Sequence, residues 1–367
     1  MRYRIEKDEL GEKIIPQEAY YGIGSLRSHD TFEITKHGLC RQNIKALANI
    51  KKAQAQTNYD FGLINKNVSE AICLASEEIL NGRLHGQFIT DSIQDGQGYG
   101  MEINAIEVIA NRANEMLGGE KGIYDKVKKE EVSLYEDTTE VVTIAGKIAA
   151  IRLLKKLATE NKKLINAYKK VVSDKGLEGT QIGNQLLNFS LILEKDTKQL
   201  DKCLVTLKDI DYGENLPKEI DKTKYLAKFT EYLNISAIEK FVPSKYGTGA
   251  THSLEGFLNV SSILKNMTVN LTKCALELKS MIINKELSVQ KLQIIGGDND
   301  EVIVLDVIKQ ISFYISGNDM TIARCIEAEE MGSCIYKPMI YACLFESCNL
   351  IRRTIRTVRE KVIENIN

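Results

Sequence analysis

Residues 95–119 read DGQGYGMEINAIEVIANRANEMLGG, and this stretch decides the fold. From Glu102 to Leu117 its residues follow a helical pattern, and Gly118-Gly119 closes it, glycine being common just past a helix end. Ahead of the helix, Gly96-Gln97-Gly98 reads as a turn. Outward from here the helical period returns. Ile44, Leu47, Ile50, Ala53 and Ala55 give one face, and residues 68–80 give another, stopped by Asn81-Gly82. A long helix is expected to start near Thr138 or Thr139 and run past Leu157, with Ile144, Ile148, Ile151 and Leu154 at helical spacing. Residues 182–207 are a further candidate helix, whereas 209–224 carry Gly213 and Pro217 and read as loop. Residues 4–39 read as an irregular or short-strand lead-in.

The most regular pattern lies in residues 256–283. Phe257, Val260, Leu264, Met267, Leu271, Cys274, Leu278 and Met281 alternate spacings of three and four without a break. That is a heptad seam, which predicts packing against near-parallel helices. Residues 341–366 repeat the theme with Leu344, Ile351, Ile355, Val358 and Val362. Their basic run, Arg352, Arg353, Arg356 and Arg359, is interleaved with Glu346, Glu360 and Glu364, and reads as a solvated helix face. No proline lies between Pro16 and Pro217, which permits long helices because an interior proline costs about 3 kcal/mol or more. The expected fold class is mainly α, a bundle of long helices.

Composition bounds the function. With 367 residues, 43% hydrophobic and 27% charged, the chain is globular. A formal net charge of −1 gives no basic footprint for nucleic acid. The N-terminal MRYRIEKDEL has no apolar core of a secretory signal, and no apolar run is long enough to span a bilayer, so a cytoplasmic protein is expected. Eight cysteines are scattered singly, in no zinc-ligand spacing, and are expected to be buried reduced thiols. Neither metal nor cofactor is expected.

Four islands carry a likeness. They are RIEKDELGEKIIPQEAYYGIGSLR (4–27), NAIEVIANRANEMLGG (104–119), IGNQLLNFSLILEKD (182–196) and SGNDMTIARCIEAEEMGSCIYKPMIYACLFES (316–347). In this order they resemble the aspartase/fumarase superfamily, and within it most closely the aspartate ammonia-lyases. The resemblance implies a mainly helical homotetramer around a long-helix bundle, with each active site drawn from three subunits. It implies two regions here, an N-terminal lyase-like domain over 1–137 and a long-helix domain over 138–367. Members usually carry a small third domain after the bundle; the chain stops at Asn367, about where that domain would begin, and is expected to lack it.

The family reaction takes a Cβ proton from L-aspartate and expels ammonia, giving fumarate. A base must reach that proton, and preorganised donors must hold the developing enediolate. Set against the family's motifs, the site residues here are changed. Where a T-S-x-N stretch follows the Gly-x-Gly turn, this chain has Tyr99, Gly100, Met101 and Glu102. Glu102 would repel a dicarboxylate. Asn104 remains from the adjacent pattern, as a substrate-binding candidate or a structural amide. In the region matching S-x-S-T-N-D, Ser133 and Asp137 fall on or beside family positions, although Asp137 or Thr138 also reads as a helix N-cap. Thr180-Gln181 is expected at a helix entrance, with the family's substrate loop deleted. Where the catalytic serine loop is expected, the chain reads LQIIGGDNDE (292–301), with no matching serine. His252 is a further candidate, to titrate or to cap.

These substitutions predict lost or much reduced catalysis and a structural or regulatory role, in a homotetramer or with a full-length homologue. The alternative is an active ammonia- or carboxylate-lyase with an altered site. A dicarboxylate or an amino acid is the candidate ligand; neither nucleic acid nor membrane is expected.

Overall fold

The computed structural model describes residues 2–244, 254–290, 300–328 and 335–367. A hairpin opens the chain, β1 (Tyr3–Asp8) antiparallel to β2 (Gly11–Pro16). Helices follow: α1 (Ile23–Thr31), α2 (Arg41–Asp60), α3 (Lys66–Leu80), α4 (Tyr99–Met116), the single turn α5 (Lys129–Val132), α6 (Thr138–Asp174) and α7 (Gln181–Thr206). The two-residue strands β3 (Asp209–Ile210) and β4 (Val242–Pro243) pair in parallel on either side of α8 (Lys222–Ala237). Three long helices complete the described chain: α9 (Glu255–Ile283), α10 (Asp300–Glu327) and α11 (Lys337–Lys361). The mainly α expectation holds, and every predicted helix is present within a few residues of its expected ends. Residues 209–224 are loop up to the start of α8, which the sequence reading did not include.

Contacts divide the chain into two compact units, and α6 passes from one to the other between Ala149 and Ala150. The first comprises Met1–Ala149, Lys208–Leu254 and Cys325–Ala342; the second comprises Ala150–Leu207, Glu255–Arg324 and Cys343–Asn367.

In the second unit the heptad seam is realised. All eight of its residues, Phe257 to Met281, are buried, and α9 packs against α7. Thr180 caps α7, its Oγ1 accepting from Gly183 N at 3.0 Å, which puts Thr180-Gln181 at the helix entrance as expected. The basic run of α11 is less solvated than its sequence suggests. Arg359 donates to Glu160 at 3.0 Å and Arg356 to the same carboxylate at 3.3 Å, and Glu160 itself is buried. Of the cysteines, Cys203, Cys274 and Cys348 are buried, and Cys40, Cys73, Cys325 and Cys343 are half-buried; all seven are free thiols.

In the first unit, α2 packs against α3 and α8, and α4 against α1 and α3. Here the quoted stretch shows what its polar residues do. Asn104, Glu107, Asn111 and Asn114 recur at spacings of three, four and three, so they line one buried stripe of α4. Each satisfies backbone groups of a segment that has no ladder of its own. Asn104 accepts from Ile89 N and donates to Gln87 O. Glu107 accepts from the backbone N of Gly22, Gly24 and Ser25, all at 2.9 Å, and from Ser25 Oγ at 2.6 Å. Asn111 bridges Tyr20 O and Gly122 N, and Asn114 bridges Glu120 O with the N of Lys126 and Val127. The Arg4 guanidinium does the same for the turn after β2, donating to the carbonyls of Pro16, Ala19 and Tyr21. Because Glu107 satisfies three backbone donors at once, Glu107→Ala should lower the unfolding free energy by about 3 kcal/mol or more. Urea unfolding measures this, and a loss under about 0.5 kcal/mol would contradict the assignment.

Candidate functional site

The chemistry-bearing residues of the first unit gather at the N-termini of α4 and α6. A helix N-terminus offers unpaired N–H groups and the positive end of the helix dipole, which suits an anionic ligand. At α4 the chain's own side chain takes these groups. Asp95 accepts from Tyr99 N at 2.6 Å and from Gly100 N at 2.8 Å. At α6, Asp137 accepts from Thr139 N at 2.7 Å and Glu140 N at 3.2 Å. The turn leading into α4 is closely packed. A Cβ on Gly96 would lie 2.5 Å from Ile335, and Gly98, at φ 87°, has Val142 3.0 Å from its missing Cβ.

Beside these caps lies a buried ionic cluster. Lys51, on the buried face of α2, is fully inaccessible. It donates to Glu102 at 3.2 Å and makes a short contact with Glu136, whose side chain is 3% exposed. Burial opposes the ammonium charge of Lys51, but Glu136 and Glu102 together outweigh it and its pKa ends above the ordinary lysine value. Burial pushes Glu136 up to about 8, with Lys51 pulling down and Glu102 pushing up. Glu102, which the sequence reading saw as a repulsive charge, thus has a cation of its own.

The loop after β3 covers this cluster. Tyr212 OH donates to Glu136 at 3.2 Å, and Asn215 Nδ2 donates to the Glu136 carbonyl at 2.9 Å. Glu140, one turn into α6, accepts from Gly213 N at 2.9 Å and Glu214 N at 3.2 Å. Burial pushes Glu140 up to about 7, against the Gly213 N–H and Lys222, which lower it, and with Asp137, which raises it.

Of the sequence candidates, Asn104 clamps the backbone of residues 87–89, and both ends of its amide are engaged. Ser133 Oγ donates to Lys129 O at 3.2 Å, one turn back in α5. Asp137 is an N-cap. No hydrogen bond among the described residues joins these three to one another. His252 and all but the last two residues of 292–301 lie outside the described residues. Sequence reasoning missed Lys51, Glu136, Glu140 and Asp95. The available signal was Lys51 itself, a charge on the face of α2 that also carries Leu47 and Ala55.

Known proteins match along the whole chain. A solved structure of a fumarate lyase:delta crystallin from Brucella melitensis superposes with a TM-score of 0.91 at 25% identity, covering 100% of this chain and 89% of that one. The family model described as Lyase matches residues 11–174. An aspartate ammonia-lyase of a Bacillus species is 29% identical over 99% of this chain and 82% of its own length. The chain has the mainly α, helix-bundle fold of the aspartase/fumarase superfamily. The aspartate ammonia-lyase of Escherichia coli K12 is similar at 27% identity, over 99% of this chain and 81% of its own. A class II fumarase from Schistosoma mansoni shares the fold, with a TM-score of 0.88. No described helix is long and apolar enough to cross a membrane.

The buried cluster makes the protein's stability depend on pH. The folded-state pKa of Glu136, about 8, lies above its ordinary 4.5. Its contribution is therefore fully present below about pH 4.5 and is lost as pH rises through 8. Between pH 5 and 8 wild type should lose stability relative to Glu136→Gln, by at most about 1.4 kcal/mol per pH unit. Thermal unfolding across that range checks it; parallel curves for the two proteins would refute it.

Proposed function

We propose that this protein is an aspartate ammonia-lyase-like member of the superfamily that has lost, or greatly reduced, the elimination of ammonia from L-aspartate. It acts instead as a structural or regulatory partner, in a homotetramer or with a full-length homologue. The observation that carries this reading is the filling of the α4 N-terminus by the chain's own carboxylate, Asp95. A dicarboxylate placed there would meet carboxylate oxygens where the chemistry needs donors. Each such pair at 4 Å costs about 4 kcal/mol at an effective dielectric constant of 20. The changed residues Tyr99, Gly100, Met101 and Glu102 support the same reading.

The oligomer is supported by a second stripe on α9. Val269, Leu276 and Ile283 recur every seven residues and are 41%, 50% and 55% exposed. An apolar heptad stripe left facing outward is what a further helix would cover. In solution the wild type should have the mass of a tetramer, and Leu276→Lys combined with Val269→Lys should lower it. Sedimentation measures both; a wild-type monomer would refute the tetramer.

One observation favours the second reading, an active ammonia- or carboxylate-lyase with an altered site and substrate. Glu136 and Glu140 have pKa values pushed to about 8 and about 7, the range of a general acid or base. Their burial counts against it. The deciding assay is release of fumarate and ammonia from L-aspartate by the pure protein, with and without a full-length relative. Turnover alone should stay at background. An enzyme-like rate would overturn the first reading, and if that rate survived Ser133→Ala and His252→Ala, both would cease to be candidates.

A further inference from the structure

Residues 155–170 read KKLATENKKLINAYKK, so lysine pairs recur at 155–156, 162–163 and 169–170, seven residues apart. All six lysines lie on α6 within the second unit and all six are exposed, while Leu157, Leu164, Tyr168 and Val171 bury the other face. At a rise of about 1.5 Å per residue the ladder extends over about 22 Å. Its outermost line, Lys155, Thr159, Lys162, Asn166, Lys169 and Ser173, alternates spacings of four and three and is exposed throughout. That is a heptad seam written in polar residues.

A second helix adds to the charge. Arg356 and Arg359 of α11 reach Glu160 of α6 at 3.3 and 3.0 Å, and Lys163 stands 3.5 Å from the same carboxylate. The only carboxylate within 155–170 is thus buried and paired with three cations. Beside the last two lysine pairs the surface is concave. A cleft of about 710 Å³ is lined there by Lys163, Lys170, Lys175 and Arg359, against Asp174 and Glu364. The chain as a whole has a formal net charge of −1, so this face is a local concentration of positive charge.

We propose that the α6 lysine ladder is a docking surface for a partner helix that carries carboxylates at seven-residue spacing.

The period and the borders of the ladder select that occupant. A helix laid nearly parallel to α6 repeats on the same seven residues, so a carboxylate pair in each heptad meets a lysine pair along the whole length. The short side chains of Thr159, Asn166 and Ser173 leave room between the lysines, and all three offer hydrogen-bond donors to carboxylates. No large apolar residue of α6 is exposed, so this face has nothing to insert into a bilayer. The strip is also narrow. Glu194 of α7 accepts from Lys169 at 2.6 Å and borders the ladder with negative charge, and Asp174 follows at its end. A helix about 10–12 Å across fits between such borders. The phosphates of a duplex would spread over them and meet like charge. The ladder shares no residue with the caps of α4 and α6 or with the Lys51 cluster, so the inference holds whether or not catalysis is retained.

Binding of labelled peptides to the full chain, read by fluorescence anisotropy at low ionic strength, tests this. The probe is a helical peptide of three heptads with Glu-Glu at the same two positions of each. The controls are a peptide of the same composition with its glutamates scrambled, duplex DNA, and vesicles of phosphatidylcholine with phosphatidylserine. The patterned peptide should bind at least about tenfold more tightly than the scrambled one, and added salt should weaken it. Lys162→Glu combined with Lys170→Glu should lower that affinity by at least about tenfold, with an unchanged thermal midpoint. A peptide with Lys-Lys in place of Glu-Glu should bind this variant more tightly than it binds wild type. If the variant fails to fold, Lys162→Gln with Lys170→Gln takes its place and should show a smaller loss in the same direction. Equal affinity for patterned and scrambled peptides, tighter binding to duplex DNA or to vesicles, no binding to any probe, or full affinity in the lysine variants would overturn the proposal.

Discussion

Four side chains on one stripe of α4 hold the first unit together, and Glu107 is the most demanding of them. A carboxylate buried inside a helical unit is costly unless its oxygens are fully engaged. Glu107 meets that condition by serving as the anion at the start of α1, where three backbone N–H groups and a hydroxyl converge on it. Asn104, Asn111 and Asn114 solve the matching problem for three other segments, whose backbone groups would otherwise be buried unpaired. A single helix thereby sets the course of the chain before α1, after β2 and on either side of itself. This role does not depend on catalysis, and the polar letters of NAIEVIANRAN are explained by backbone accounting alone.

The Lys51 cluster poses a different constraint. One ammonium lies between two carboxyl groups, and burial pushes the Glu136 carboxyl above its ordinary value. Such buried pairs rarely add stability over an apolar core, but removing one partner leaves an uncompensated charge. The cluster links α2, α4 and the entry to α6, and through Tyr212 it links the loop after β3. Burial at this cluster is what pushes the Glu136 and Glu140 carboxyls up.

The long helices were legible because their apolar residues repeat at spacings of three and four, and every member of the Phe257 to Met281 seam is buried. Asp137 was legible as a cap because it directly precedes an apolar helical run. The helix α8 was partly hidden: its core residues Tyr225, Leu226, Phe229 and Leu233 follow a loop marked by Gly213 and Pro217, which drew the expected loop as far as Lys224. Lys51 could be noticed but not interpreted, since Glu102 and Glu136 are 51 and 85 residues away in the chain. Asp95 was hidden for another reason. The Gly-x-Gly turn drew attention to the residues after it, while the carboxylate that fills the helix start lies just before it.

The caps also suggest why a site of this kind would change as it has under the proposed reading. An N–H group at a helix start can serve a substrate carboxylate or a permanent side chain, not both. Serving the side chain is worth about 0.5–2 kcal/mol per cap, present whether or not ligand is bound. An empty anion site gains nothing of that kind and keeps its donors waiting, which is one form of the exchange of stability for activity. Once selection on the reaction is relaxed, a side chain such as Asp95 that occupies those donors is favoured by stability alone. Glu102 then requires Lys51, and the buried pair requires a cover. Tyr212, Gly213 and Asn215 provide it, and their attachment through Glu136 and Glu140 follows from the carboxylates already being there.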